Sequence, residues 1–534
     1  MGIFRVLRTF LLPSLIMGCI GCSSKASPNS KKELNVAFSQ LPSSLDPRRQ
    51  RDPYTSIFLF MLYEGLTSTL PSGDVELALA ESYELSEDKK TYTFILKEAY
   101  WSNGERITAH DFEYTWKSIL DPAFPSMSAY LLYPIQGAQK IKEGILSKDE
   151  LGVYAIDDTT LKITLNTPTP YFLNLVSFIT FFPVPCGIDE INPEWGSGKT
   201  TIVNGPYSIE GWEGLHKIIL KKNPNYWDQE SLGFKEIYIH RIPDETLSLN
   251  LFEKKEIDYL GGTIAPIPLD AIPALKKRDE LHIEATAGTY FTCFNCESFP
   301  FSNRNIRRAF GLAIDRQQLS NHVSELNEEV ALELIPTVMK RGFATKPQMN
   351  DNDAAGAIEA FEQGLKELNL NRDNFPKVKF LYSNTSKEQK IAQALQQKWQ
   401  NTLGISVSIE RMNFLTLLHA LSAHQFEFAL GSFMCQYNDP NDVLERFYNK
   451  KSSKNYSQWE NKEYQYYLNE ARLVSDFDKR MALYQKAEEI MHEEMPVTPI
   501  LYKSRSMLIN REKLKETGNS PTRLLILKGL ELNE

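Results

Sequence analysis

Between Phe426 and Pro440 the chain reads FEFALGSFMCQYNDP, and its opening residues alternate. Phe426, Phe428 and Leu430 are large and apolar, whereas Glu427, Ala429 and Gly431 are polar or small. That alternation predicts a strand with one buried face. It stops at Gly431-Ser432, where small side chains let another backbone approach. Met434, Cys435, Gln436, Asn438 and Asp439 follow, and Pro440 ends any ladder. A buried strand that turns polar and aromatic suits a ligand-binding edge; a core strand running into a surface turn has the same local pattern.

Similar patterns mark the rest of the chain. Leu34–Phe38, Tyr92–Leu96, Leu161–Leu165 and Lys217–Leu220 read as strands, and Ile57–Leu66 as an apolar helix ending near Gly65. Asn103-Gly104 supplies a turn; Thr108, with Asp111 three residues later, opens a helix carrying Phe112 and Trp116. From about residue 288 helices and strands interleave. Ala354–Leu368 reads as a helix, and Ser386-Lys-Glu-Gln389 as a capping box for a helix with Ile391, Leu395 and Trp399 on one stripe. Gly404 stops that helix, Ile405, Val407 and Ile409 alternate as a strand, and Asp476–Glu494 is a long helix halted at Pro496. The class is mixed α/β.

A chain of 534 residues exceeds one ordinary core, so two or three domains are expected. The net charge of −9 includes the two arginines of a leader, so the remainder is more acidic still, which argues against a nucleic-acid partner. Arg5 and Arg8 precede the apolar run Thr9–Ile20, interrupted by Pro13 and too short to span a bilayer stably. Cys22 follows Gly21, and a polar tether, 22–30, follows the leader, 1–21. This end resembles a bacterial lipoprotein lipobox, which makes Cys22 the acylated residue, with Cys19 the alternative. The body is then expected to be extracytoplasmic and membrane-anchored.

Cys186, Cys293, Cys296 and Cys435 remain. Cys293-Phe-Asn-Cys296 has no second pair at zinc-ligand spacing, and a disulfide joining one of these two to Cys435 is the expected bond in an exported protein. Gly196-Ser-Gly198-Lys199-Thr200 imitates a phosphate loop, but Pro193 stands where its first glycine belongs. No HExxH and no G-x-S-x-G occurs. No enzyme activity, cofactor or metal is expected.

The segments Leu79–Asp121, Val203–Trp227, Pro300–Arg316 and Phe426–Pro440, in that order, resemble the oligopeptide- and dipeptide-binding class of extracytoplasmic solute-binding proteins, the receptor components of ABC importers. The resemblance implies a periplasmic-binding-protein-like fold of the class II type, two lobes with a hinge plus an inserted domain. Domain I would comprise 31–63, 186–287 and 498–534, domain II 64–185, and domain III 288–497, with the hinge near 288 and 498. The implied function is capture of oligopeptides by a monomer that delivers them to permease and ATPase subunits. A modified or cell-wall-derived peptide, a metal complex, haem or a sugar on the same fold, and a signalling or adhesion lipoprotein, are the alternatives.

The same resemblance implies the site. Ser432, Phe433 and Met434 would flank an extended peptide held through its main chain, with the region of Arg51-Asp52-Pro53 on the other side. Phe414 and Tyr290 would pack against ligand, and Asn384 would make a polar contact. Family members often pair the ligand's α-amino group with an aspartate; this chain has Gln436 there, with Asp439 three residues on as the possible substitute. The family's basic positions for the peptide carboxylate read Leu421 and Leu430, and a histidine position reads Gln389. The expected receptor therefore does not read both free termini in the usual way.

Overall fold

The computed structural model of the chain describes residues 32–515 apart from 51, 193–194, 198–200, 324–325, 327 and 453, together with 522 and 533. Cys19, Cys22, the tether, Arg51 and the end of the phosphate-loop imitation lie outside the described residues. The strands are, first, β1 (Glu33–Phe38), β2 (Thr67–Thr69), β3 (Val75–Leu77), β4 (Ala80–Leu85), β5 (Thr91–Leu96), β6 (Val153–Ala155) and β7 (Thr160–Thr164). There follow β8 (Tyr207–Glu213), β9 (Lys217–Lys222), β10 (Glu236–Arg241), β11 (Tyr259–Gly261) and β12 (His282–Phe294). The last are β13 (Val378–Ser383), β14 (Val407–Met412), β15 (Phe428–Met434) and β16 (Val497–Ile509).

Ten of them form one mixed sheet, in the order β14-β13-β15-β12-β16-β11-β1-β10-β9-β8. The long antiparallel pair β12 and β16 runs through its middle, and its register breaks between Ala285 and Thr289. Strands β4-β5-β7-β6 form a separate antiparallel sheet, covered by the helix Ala109–Ile119, within the chain that leaves the large sheet after β1 and returns at β8. Thr108 and Asp111 close that helix's capping box as expected.

On the β13–β15 side, an aromatic core explains why Pro300–Arg316 and Phe426–Pro440 travel together. Phe428 lies 4.6 Å from Phe301, 4.9 Å from Phe380, 5.4 Å from Phe310 and 5.4 Å from Trp399, ring centre to ring centre. Trp399 donates its indole N–H to the Phe310 carbonyl at 2.9 Å, so its polar edge costs nothing to bury. Arg316, fully buried, bonds the Pro499 carbonyl at 2.8 Å, the Thr498 hydroxyl at 3.0 Å and Asp351 at 3.2 Å, a use of several donors that lysine cannot match.

Several expectations shift. The strand at Phe428 has no polar face, because Phe428, Ala429 and Leu430 are all buried in a central strand covered on both sides. The apolar helix runs Pro53–Leu62, four residues earlier than read, because Asp52 caps it by accepting from Thr55 N–H and Pro53 opens it. Gly65 is there for space: a Cβ would come within 2.5 Å of the Phe182 ring. Thr385, not Ser386, caps the helix Ser386–Leu403. Asp52-Pro53 is consequently a helix start and not a flanking strand.

Cys186, Cys293, Cys296 and Cys435 are free thiols. Cys435 follows Met434, which faces Gly288, whereas Cys293 faces Ala429. At about 3.3 Å per residue the two are roughly 20 Å apart along the ladder, well beyond the ~7 Å that a disulfide spans. Cys296 lies farther along still, so the expected bond to Cys435 is excluded by the register.

Candidate functional site

The ladder between β13 and β15 covers only Phe428 and Ala429. From Leu430 to Met434 the β13 side of β15 has no strand partner among the described residues, while the β12 side is paired from Phe428 through Met434. Cys435 N–H donates to the Ala287 carbonyl on the β12 side at 2.7 Å. By the alternation of an antiparallel ladder, Ser432 and Met434 therefore turn their main-chain groups to the open side. Such an edge is a template for an added strand. Gly288 lets β12 run unusually close beneath it: a Cβ there would meet Met434 Sδ at 2.5 Å and the Phe433 carbonyl at 2.6 Å.

Each end of the open edge carries lysines. At one end Tyr290, opposite Ser432 on β12, lies beneath two ammonium groups, Lys503 at 4.6 Å and Lys387 at 5.0 Å from the ring centre. Lys503 also donates to the Ser432 hydroxyl at 3.3 Å. Burial lowers the Lys503 pKa, and nearby Glu388 and Glu328 oppose that shift. Lys387 pairs with the buried Glu328.

At the other end the turn after β15 is held by Arg446 and Asp442. Asp442 accepts from Gln436 N–H at 2.7 Å, and Arg446 bonds the Met434 carbonyl and Asp442, both at 3.3 Å. Gln436 Oε1 accepts from Lys454 Nζ at 3.0 Å and from the hydroxyl of Tyr130, which arrives from beside the four-stranded sheet. Lys454 also donates to that hydroxyl and lies 4.2 Å over the Tyr130 ring. Burial, then Arg446, push the Lys454 ammonium down to about 7. Next to them Tyr437 stacks on Tyr171, centres 5.3 Å apart and planes 14° apart, and Asn438 donates to the Gly73 carbonyl at 2.8 Å.

The structure thus gathers Ser432, Met434, Gln436 and Tyr290 around one edge. Phe433 does not reach into it: the ring is buried, 5.8 Å from Phe291 and beneath the Arg446 guanidinium at 4.8 Å. Asp439 requires correction as the substitute counter-charge. It is buried, paired with Arg480 at 2.6 Å, and capped by Asn441 N–H at 2.9 Å, because the chain has already turned into the core by that residue. Asn384 is an exposed turn residue and Phe414 stands exposed at the first turn of the helix Phe414–Ser422. Leu421 and Leu430 are core residues. Sequence reasoning missed Tyr130, Lys454, Lys387 and Lys503. Lys454 and Tyr130 are far apart in the chain and carry no motif; only the fold joins them.

A sheet shared between two packed halves, with an unpaired strand edge running to the contact between them, defines a binding protein with the periplasmic-binding-protein-like fold. The chain belongs to the bacterial extracellular solute-binding proteins of family 5, whose middle-region model matches residues 74–455. It is 36% identical over 502 residues to the oligopeptide-binding protein OppA of Bacillus subtilis, covering 92% of each chain. With the dipeptide-binding protein DppE of the same organism it shares 34% identity, covering 97% of this chain and 96% of that one. Among solved structures, Haemophilus influenzae OppA in complex with RPPGFSPFR superimposes with a TM-score of 0.81 at 27% identity, covering 94% of this chain and 99% of that one.

Proposed function

We propose that this protein is the substrate-binding component of an ABC importer, which captures oligopeptides between two lobes and delivers them to permease and ATPase subunits. The observation that carries the reading is the unpaired edge of β15 from Leu430 to Met434, bounded by lysines at both ends. A receptor that adds its ligand as a strand gains affinity from the peptide main chain, which is common to all sequences, and so tolerates varied side chains. The peptide-binding relatives and the peptide-bound neighbour support this reading.

The working division of the chain is domain I over 31–63, 186–287 and 498–534, domain II over 64–185, and domain III over 288–497. The register break of β12 between Ala285 and Thr289 is a natural hinge at the first crossing. Acylation at Cys22, or at Cys19, anchors a monomer to the membrane outside the cytoplasm. Calorimetry with tri- to pentapeptides, each with its amino end free and N-acetylated, paired with small-angle scattering, tests the reading. Binding accompanied by a smaller radius of gyration is expected; no heat and no compaction with any of them would remove it.

A further inference from the structure

Among the described residues, both hydrogen-bond partners of the Gln436 side-chain oxygen are donors. Lys454 Nζ and the Tyr130 hydroxyl both point at Oε1. An amide carbonyl has two lone pairs, and these two donors take them. An incoming ammonium therefore finds no free acceptor on Gln436. It also finds the wrong charge. Arg446 and Asp442 face each other at 3.3 Å and cancel, whereas among the described residues no carboxylate lies within ion-pair distance of Lys454. Asp439, the nearest acid along the chain, is taken by Arg480.

Lys454 itself is incompletely used. Its ammonium has three N–H donors, of which Gln436 and Tyr130 accept two. The Tyr130 ring face supplies further stabilisation from below. Among the described residues nothing takes the third donor, which is left for an oxygen that is neutral or negative, the kind presented by an amide carbonyl at the blocked end of a peptide.

We infer that Lys454 fills, with the chain's own ammonium, the place at Gln436 that a ligand's amino terminus would occupy, so that the groove selects peptides whose amino end is acylated or cyclised. The inference rests on the reading of the β15 edge as a peptide site. It assigns Lys454 and Tyr130 as specificity-determining residues: Lys454 sets the sign of the charge, and Tyr130, reaching over from beside the four-stranded sheet, occupies the second lone pair of Gln436 and accepts from Lys454.

The test compares, by calorimetry on the full chain at pH 6, below the value of about 7 at which Lys454 loses its proton, a tetrapeptide with a free amino end and the same peptide N-acetylated. The acetylated form is expected to bind at least as tightly as the free one. The Lys454→Gln, Gln436→Asp double variant removes the surplus positive charge and supplies a counter-charge, and is expected to prefer the free amine by about tenfold. Gln436→Asp alone serves if the double variant melts below the wild type. An approximately tenfold loss on acetylation in the wild type overturns the inference. So does a folded variant that binds peptide with no new preference for the amine. If neither form binds the wild type, the peptide reading itself falls and takes this inference with it.

Discussion

Two seams meet at the four-stranded sheet, and they are built differently. Toward β1, Arg48 holds Asp189 with two 2.7 Å bonds and Asp46 at 2.9 Å, and donates to Ser118 at 3.1 Å. Asp189 also accepts from Tyr114 and Trp195, each at 2.7 Å, and one apolar cluster runs uninterrupted beneath them. These hydrogen bonds hold Asp189 ionised, its pKa below the ordinary value despite burial. Toward β15 the contacts among the described residues are separate ones, including the Tyr171–Tyr437 stack, Asn438 to Gly73, Lys89 to Ser475 at 3.1 Å, an Arg341–Asp74 pair at 3.4 Å between exposed side chains, and the Tyr130–Gln436–Lys454 group. Water can replace each hydrogen bond of the second seam, and exposed ion pairs contribute only about 0–1 kcal/mol. Opening the first seam would take the Tyr114 hydroxyl from the buried Asp189 carboxylate and the Ser118 hydroxyl from Arg48, and would expose the apolar cluster that both sides share. A fixed joint satisfies its charges internally; a working joint leaves them to be completed on closing.

The largest effect follows from that difference. Arg48→Met leaves Asp46 and Asp189 buried without their cation, which costs about 3–5 kcal/mol. Urea unfolding should show a matching drop in the midpoint. A shift equivalent to less than about 1 kcal/mol would mean that apolar contact, not charge, holds this seam.

The next effect belongs to the second seam and depends on pH. In the closed arrangement the Lys454 ammonium is pushed down to about 7, by burial first and then by Arg446, with Asp442 and Cys435 acting in the opposite sense and Tyr130 and Tyr456 packed nearby. An exposed lysine titrates near 10.4. Between those values the open form binds more protons than the closed one, so closure is favoured as pH rises and loses that advantage as pH falls through 7. Scattering from the ligand-free protein should therefore show a smaller radius at pH 9 than at pH 6.5, and Lys454→Gln should flatten the difference. An unchanged slope in that variant would exclude Lys454 as the titrating group.

How far these seams were legible in the sequence differs in the same way. Local patterns located the strand at Leu34–Phe38, the capping box at Thr108–Asp111 and the stop at Gly404, because each depends on neighbours a few residues apart. At Ser432–Met434 the local pattern gave only a buried strand turning polar, and the assignment of these residues as a flanking edge came from the family resemblance. What was hidden depends on register: whether Cys435 reaches Cys293, where the Asp439 carboxylate points, and which lysine stands beside Gln436. Asp439 looked available because its residue type and spacing were right, and only the Arg480 ion pair shows that the turn had already entered the core. Arg48 illustrates the limit from the other side: it is buried between Asp46, two residues before it in the chain, and Asp189, which only the fold brings to it.

The smallest predicted effect separates the seams most directly. Tyr171 and Tyr437 stack across the second seam, and on the proposed closing motion that stack would form only in the closed state. Tyr171→Leu keeps most of the apolar bulk and gives up the ring contact, worth about 0.5–1.5 kcal/mol. Because that contact contributes to closure and not to the core of either side, the variant should bind peptide roughly fivefold more weakly while its melting temperature falls far less than that of Arg48→Met. If instead the two variants lose stability equally and Tyr171→Leu binds as the wild type does, the joint at β15 is as permanent as the one at β1, and the motion that admits ligand must lie elsewhere.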